Sequence, residues 1–328
     1  MIGDATASVT ITGLGAYAPE RVLDNAELET LVDTSDEWII ERTGIRERRI
    51  AAQSEALSDL ALPAAEQALA QAGLTGKDID LLIVATVTPD MSFPATAVIL
   101  ADKLGASAAA AYDLSAGCTG FMYAIAQAYG MLAGGLGKRA LVVGGDVLSR
   151  ILDWSDRSTL VLFGDGAGAV VLEASDAPGF LAFDLGADGS GGEHLWLPSS
   201  GSRLSDAPDR YVQMNGREVF KFATRILVQS AEDTLAQAGA TIDDVDVYVP
   251  HQANVRIIEH ATMKLGIPSE RVVINVDRYG NTSSGSIPLA LAEAQGAGRL
   301  QPGKLVLMTG MGAGLTWGSA LIRWTLHL

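Results

Sequence analysis

The sequence predicts an α/β fold made of two similar halves related by a pseudo-twofold axis. Strand-like apolar runs alternate with helical stretches along the chain, and one stretch recurs. Ala65-Glu66-Gln67-Ala68-Leu69-Ala70-Gln71-Ala72-Gly73-Leu74-Thr75 returns as Ala231-Glu232-Asp233-Thr234-Leu235-Ala236-Gln237-Ala238-Gly239-Ala240-Thr241. Further matches keep the same order. Asp78 and Asp80 answer Asp244 and Asp246, Lys103-Leu104-Gly105 answers Lys264-Leu265-Gly266, and Gly117-Cys118-Thr119 answers Gly280-Asn281-Thr282. Chance likeness between alanine-rich helices produces one match; several in register indicate duplication. The halves are expected at residues 1–175 and 176–328.

Composition narrows the function classes. At 328 residues with 48% hydrophobic side chains, the chain can bury a large core. A formal charge of -16 argues against broad binding to nucleic acid or anionic membrane. One cysteine excludes an internal disulfide framework and a CxxC zinc site. No window is long and apolar enough for a membrane span, and Met1-Ile2-Gly3-Asp4 lacks the features of a signal peptide. A soluble cytoplasmic protein is expected.

In chain order, a strand at Ser8 to Gly13 leads to an expected turn at Gly15-Ala16-Tyr17-Ala18-Pro19. Thr34-Ser35-Asp36-Glu37-Trp38-Ile39-Ile40 reads as a capped helix start, followed by Arg42, Arg46, Arg48 and Arg49. These arginines read by default as a solvated face, although Trp38 beside Arg42 also suits an adenine and phosphate group. Helices are expected at Leu57 to Ala72, about Ala95 to Leu104, and Thr119 to Ala133, with strands at Leu81 to Thr86 and Ala140 to Gly144. Gly164-Asp165-Gly166-Ala167-Gly168 reads as a tight connection between strands at Leu160 to Leu162 and Ala169 to Leu172. No helix opens after it, which argues against a dinucleotide loop. Gly186 to Gly216 reads as a long loop or lid, and Val219, Phe220, Phe222, Ile226, Leu227 and Leu235 as a helical apolar face. A strand at Val245 to Val249, one at Leu305 to Met308, a turn at Gly310 to Gly314 and a final strand at Ser319 to Leu326 complete the reading.

Cys118 is expected where a strand turns into a helix, so that the helix N-terminus favours thiolate. The competing reading is an inert core cysteine. Duplication places Cys118 and Asn281 in matching turns across the seam, with His251 at a strand end beside them. Alone, His251 reads as a structural histidine and Asn281 as a turn residue. His194, His260 and His327 have no motif to lift them further.

Cys118 in Ala-Gly-Cys-Thr-Gly, His251 in His251-Gln252-Ala253-Asn254, and Asn281 in Gly280-Asn281-Thr282-Ser283 together resemble the Cys-His-Asn set of the β-ketoacyl-[acyl carrier protein] synthase III family. The resemblance extends through Asp36-Glu37-Trp38-Ile39, Arg42-Thr43-Gly44-Ile45-Arg46, Phe163 to Gly168 and Thr316-Trp317-Gly318-Ser319. It implies a thiolase-like, five-layered αβαβα architecture and a cytoplasmic homodimer that starts fatty-acid synthesis. By resemblance, Cys118 is acylated from an acyl-CoA, while His251 and Asn281 stabilise the enolate formed when malonyl-[acyl carrier protein] loses CO2. The N-H groups of Cys118 and Ala313 form an oxyanion hole. The resemblance assigns Trp38 and Arg157 to the adenine of coenzyme A, with Thr34 and Arg42 nearby, and Met214, Gly216, Phe220, Ala253 and Asn254 to the pantetheine channel. Lys221 and Arg256 contact the acyl carrier protein, Phe93 enters the neighbouring subunit's acyl pocket, and no metal or other cofactor is implied. Ser158 and Ala313 stand where many relatives have glycine, and Leu315 where an aromatic residue is common. Rival readings are a secondary-metabolism acyltransferase, a chalcone-type polyketide synthase, and a catalytically silent acyl-CoA-binding paralogue.

Overall fold

The computed structural model describes residues 8–199, 201–202 and 210–327. The chain begins with β1 (Ser8–Tyr17), β2 (Arg21–Asp24), α1 (Asn25–Leu31), α2 (Asp36–Thr43) and β3 (Glu47–Ile50). It continues through α3 (Leu57–Ala72), β4 (Leu81–Ala85), α4 (Thr96–Lys103), β5 (Ala110–Leu114), α5 (Gly120–Ala133), β6 (Arg139–Val147), α6 (Arg157–Leu160) and β7 (Asp165–Ser175). Next come β8 (Phe180–Ala187), β9 (Leu195–Trp196), β10 (Gln213–Met214), α7 (Gly216–Ala238), β11 (Val247–Pro250) and α8 (Val255–Leu265). Finally, α9 (Val276–Tyr279), α10 (Ser286–Gly296), β12 (Leu305–Gly312) and β13 (Thr316–Arg323) close the fold.

Two sheets carry one plan. The first has the order β1-β7-β6-β4-β5 and the second β8-β13-β12-β11. In each, one parallel pair is followed by two antiparallel ones: β4 with β6, then β7 and β1; β11 with β12, then β13 and β8. The counterpart of β5 is reduced to a single parallel bridge between Tyr248 and Val272. The connections repeat as well. Thr75 and Thr241 each donate their N-H and hydroxyl to an aspartate three residues on, Asp78 and Asp244. Both preceding helices, α3 and α7, end on a left-handed glycine, Gly73 and Gly239.

The layers follow from which faces are apolar. Along β4, Leu81, Ile83 and Ala85 face one core cluster while Leu82 and Val84 face another, so the strand is apolar throughout. α5 and α10 pack between the two sheets and are buried around most of their circumference. α3 and α4 cover the outer face of the first sheet, and α7 with α8 the outer face of the second. The result is the thiolase-like five-layer αβαβα arrangement. Among the described residues, no helix is long and apolar enough to cross a membrane.

Several expected turns are strand instead. β1 runs on through Gly15 to Tyr17, still paired with β7, and a Cβ at Gly15 would lie 2.1 Å from the Ala64 carbonyl oxygen. That glycine lets α3 lie close on the sheet rather than turning the chain. Asp165 to Gly168 likewise begin β7, and Gly310 to Gly312 end β12, with the turn confined to the next three residues. The strand expected at Leu160 to Leu162 does not form, since the short helix α6 ends at Leu160 and a turn follows, and the last strand starts earlier, at Thr316. Of the expected lid, β8 takes the start and the β9–β10 pair follows; residues 200 and 203–209 lie outside the described residues, as does Met1 to Asp4.

One register differs from the sequence repeat. α5 follows a 3-10 turn at Gly117–Thr119 and α10 follows one at Ser283–Gly285. The counterpart of Gly117 is therefore Ser283, and both are left-handed, at φ 57° and 51°. Asn281 matches Ser115, not Cys118. The sequence match was drawn on glycine, but in the second half a serine takes the left-handed position.

The seam between the halves tolerates no added atom at Gly144, where a Cβ would lie 2.3 Å from the Ser284 carbonyl oxygen. Gly144→Ala is expected to cost about 1–3 kcal/mol of stability in denaturant unfolding. Gly130→Ala, on the exposed side of α5 with nothing within 4 Å, is expected to stabilise slightly. Equal stability of the two variants would refute this account of the seam.

Candidate active site

Cys118 sits in the 3-10 turn between β5 and α5 and is 7% exposed. Together with Phe163 and Leu195 it lines two cavities, of about 240 and 150 Å³, so the sulfur stands where they meet. Backbone meets backbone around it. A Cβ at Gly117 would lie 2.8 Å from the Ala313 nitrogen, and one at Gly312 would lie 2.5 Å from the Cys118 nitrogen. The N-H groups of Cys118 and Ala313 lie beside the sulfur and favour its charged form. Burial nevertheless pushes the thiol up to about 11, against the Ser283 hydroxyl and those two N-H groups. The expected thiolate is corrected here: desolvation outweighs the donors of the turn.

His251 follows β11 directly, and its N-H donates to the Thr309 carbonyl at 2.7 Å. The ring is 1% exposed, and burial takes the imidazole down to about 3, so it is neutral at ordinary pH. Its Nδ1 lies 2.5 Å from the Ser286 hydroxyl oxygen. Asn281 is fixed by its backbone to the other half: its N-H donates to Leu162 at 2.8 Å and its carbonyl accepts from Gly164 at 3.0 Å. Gly280, at φ 63°, makes this approach possible, since a Cβ there would lie 2.9 Å from the Leu162 oxygen. The Ser283 N-H donates to Asn281 Oδ1 at 2.8 Å, which leaves the amide hydrogens of Nδ2 free to face the cavity.

The smaller cavity brings Cys118, His251 and Asn281 together with Met214, Gly216, Phe220, Ala253 and Asn254. The larger one is apolar, lined by Val87, Leu148, Ile151, Phe163 and Val212 among others, with Ala313 beside the sulfur. A second group lies apart, lining neither cavity. Trp38, on α2, has the Arg157 guanidinium 5.1 Å from its ring centre, and Arg157 donates to the Asp33 carbonyl at 2.6 Å. Trp38 and Arg157, which the resemblance groups at coenzyme A, are thus in contact. Arg42 is exposed, and its carbonyl accepts from the Asn254 side chain at 3.0 Å. The buried Thr34 hydroxyl has no hydrogen-bond partner among the described residues.

Lys221 is exposed on α7 and paired with Glu218 at 2.7 Å. The Arg256 guanidinium lies 5.8 Å from the centre of the Phe220 ring, at the channel wall. Phe93 is 85% exposed and lines neither cavity of its own chain. Asp156 caps the start of α6, accepting from the N-H and hydroxyl of Ser158, and Leu315 packs into the cluster of Phe222 and Met311. Sequence reasoning gave no role to Phe163, Ser283 or Ser286. The first two lay inside recognised motifs; Ser286 carried no signal, because its distance from His251 exists only in the folded chain.

A duplicated pair of sheets with a buried thiol at one inner helix and a carboxamide at the other belongs to the thiolase-like condensing acyltransferases. Comparison with known proteins narrows the class. Residues 112–189 match the 3-oxoacyl-[acyl-carrier-protein] synthase III family and residues 235–324 its C-terminal family. A β-ketoacyl-[acyl-carrier-protein] synthase III from Symbiobacterium thermophilum is 55% identical over 96% of this chain and 98% of its own length. The synthase III structure from Thermus thermophilus superposes with a TM-score of 0.93 at 50% identity, covering 97% of this chain and all of that one. The priming β-ketosynthase of the R1128 polyketide pathway also gives 0.93, at 37% identity, over 100% and 99% of the two chains. The chain belongs to the β-ketoacyl-[acyl-carrier-protein] synthase III family, and it is a condensing enzyme of the acyltransferase type.

Because burial holds the Cys118 thiol near 11, its thiolate fraction increases as pH rises. Alkylation of Cys118 by iodoacetamide is expected to speed up about tenfold per pH unit from about 7 to about 9. A plateau before pH 9 would show that the donors of the turn prevail over burial.

Proposed function

We propose that this chain condenses a short acyl-CoA with malonyl-[acyl carrier protein] to give 3-oxoacyl-[acyl carrier protein], the first condensation of fatty-acid synthesis. One observation carries the proposal: the Cys118 sulfur, the His251 ring and the Asn281 amide share one cavity. The Cys118 sulfur attacks the acyl thioester carbon, and coenzyme A leaves as its thiol with the proton that Cys118 loses. The N-H groups of Cys118 and Ala313, which flank the sulfur, hold the oxyanion of this step. Malonyl carrier protein then enters and loses CO2, leaving an enolate whose oxygen accepts hydrogen bonds from His251 and Asn281. The enolate carbon attacks the acyl group, and the expelled Cys118 sulfur is reprotonated. No metal or other cofactor is needed.

The outer group fits the nucleotide end of coenzyme A. An adenine stacks on an indole and against a guanidinium, as Trp38 and Arg157 offer, with Thr34 and Arg42 beside them. The pantetheine arm then passes Met214, Gly216, Phe220, Ala253 and Asn254. Lys221 and Arg256 give an acidic carrier protein a local basic rim on a chain of charge -16. The open edge of β5, with exposed Phe93 and Met91 in the loop between β4 and α4, supports a homodimer in which Phe93 enters the partner's acyl cavity. The proposed location is the cytoplasm. The likeness to a polyketide priming enzyme supports a second reading, a starter role in secondary metabolism.

Intact-mass detection of the acyl-enzyme over a panel of straight and branched acyl-CoAs, followed by malonyl carrier protein, tests the reading. Neither an acyl adduct nor CO2 release from well-folded protein would reject it. Cys118→Ala is expected to abolish acyl transfer. His251→Ala is expected to slow decarboxylation by about 10²–10³-fold while acyl transfer persists. Equal loss in both half-reactions would refute that division.

A further inference from the structure

We propose that Ser286 is a positioning residue that fixes the tautomer of His251, holding the ring proton on Nε2, where it faces the cavity. Ser286 is the first residue of α10, 1% exposed, and its hydroxyl oxygen lies 2.5 Å from His251 Nδ1. The same oxygen accepts the Gln252 N-H at 3.3 Å. A serine hydroxyl has one proton to give and two lone pairs to receive with. The Gln252 N-H is donor only, so among the described residues the one acceptor offered to the Ser286 proton is His251 Nδ1. With Nδ1 accepting, a neutral imidazole must carry its proton on Nε2.

The surroundings hold this geometry in place. The His251 N-H is tied to Thr309, and the adjacent Gln252 is clamped: its amide donates to the Pro250 and Val273 carbonyls at 2.8 and 3.0 Å. Its oxygen accepts from the N-H groups of Asn275 and Val276 at 2.9 and 3.2 Å. The ring therefore has little freedom to turn over. Burial keeps it neutral, so it has one N-H and one bare nitrogen, and Ser286 decides which is which.

The consequence for chemistry rests on the decarboxylating reading above. An enolate oxygen needs donors, and an Nε2-H ring beside the Asn281 amide supplies two of them. The same tautomer cannot take the Cys118 proton, because its bare nitrogen faces Ser286. Ser286 thus commits His251 to the malonyl half-reaction, in step with Ser283, whose N-H turns the Asn281 amide donor inward.

Nitrogen-15 spectra of the histidine-labelled full chain test the assignment directly, with the His251 signal identified by its absence in His251→Ala. The wild type is expected to show a protonated Nε2 and a bare Nδ1; a protonated Nδ1 would overturn the proposal. In Ser286→Ala the Nε2-H signature is expected to give way to a mixture. Decarboxylation of malonyl carrier protein is expected to fall by about 10–100-fold, while acylation of Cys118 is retained. Ser286→Thr, which keeps the hydroxyl, is expected to restore both signature and rate. Wild-type decarboxylation and an unchanged tautomer in Ser286→Ala would overturn the proposal, and a misfolded Ser286→Ala leaves the wild-type spectrum and Ser286→Thr to decide it. A wild type that never releases CO2 would reject the condensing reading, while the spectrum judges the tautomer independently.

Discussion

The site depends on backbone lying against backbone where the two halves meet. Around the sulfur, Gly117 lies against Ala313 and Gly312 against Cys118, and farther in Gly144 lies against Ser284. These contacts are closer than any side chain allows, and they bring the turns before the two inner helices within reach of each other. The buried Asp146 ties the seam together. It accepts from the Thr86 and Thr88 hydroxyls at 2.8 Å and from the Ser284 hydroxyl at 3.0 Å. The carboxylate joins the end of β4, next to the apolar cavity wall at Val87, to the turn that follows Asn281. Its cost of burial is offset by this many donors.

The same burial sets the electrostatics. Desolvation raises the thiol and lowers the imidazole, so the resting site is neutral at both reacting groups. Such a site stabilises developing charge with oriented donors rather than with standing ion pairs. The donors are held beforehand: two N-H groups at the sulfur, the amide of Asn281 turned by Ser283, and the ring of His251 set by Ser286. Below the turn, Arg48 is fully buried and binds Leu23, Asn25 and Val161 through its guanidinium. Burial lowers it to about 10, so it keeps its charge and braces the strand ends from beneath.

Local pattern carried some of this into view. The α3 helix and its terminal Gly73 fall where the periodicity places them, because apolar spacing and a left-handed C-cap are local properties. The glycines of Gly13 to Gly15, Gly164 to Gly168 and Gly310 to Gly312 misled the same reasoning. In isolation a glycine pair signals a turn; here such residues give room to a helix or a facing backbone, which no local rule reports. The displaced match of Asn281 has a related cause, since Ser283 adopts the conformation that glycine was expected to mark.

By itself the sequence determined the duplicated α/β plan, the solitary cysteine at a helix start, and the motifs that tie Cys118, His251 and Asn281 to one family. Repeats, periodicity and motif spacing are written along the chain, so they survive without coordinates. Only the tertiary structure decided that the thiol is held protonated and that Ser286 stands against the histidine ring. These are properties of distance and desolvation between residues far apart in sequence, and they come into being when the two halves close.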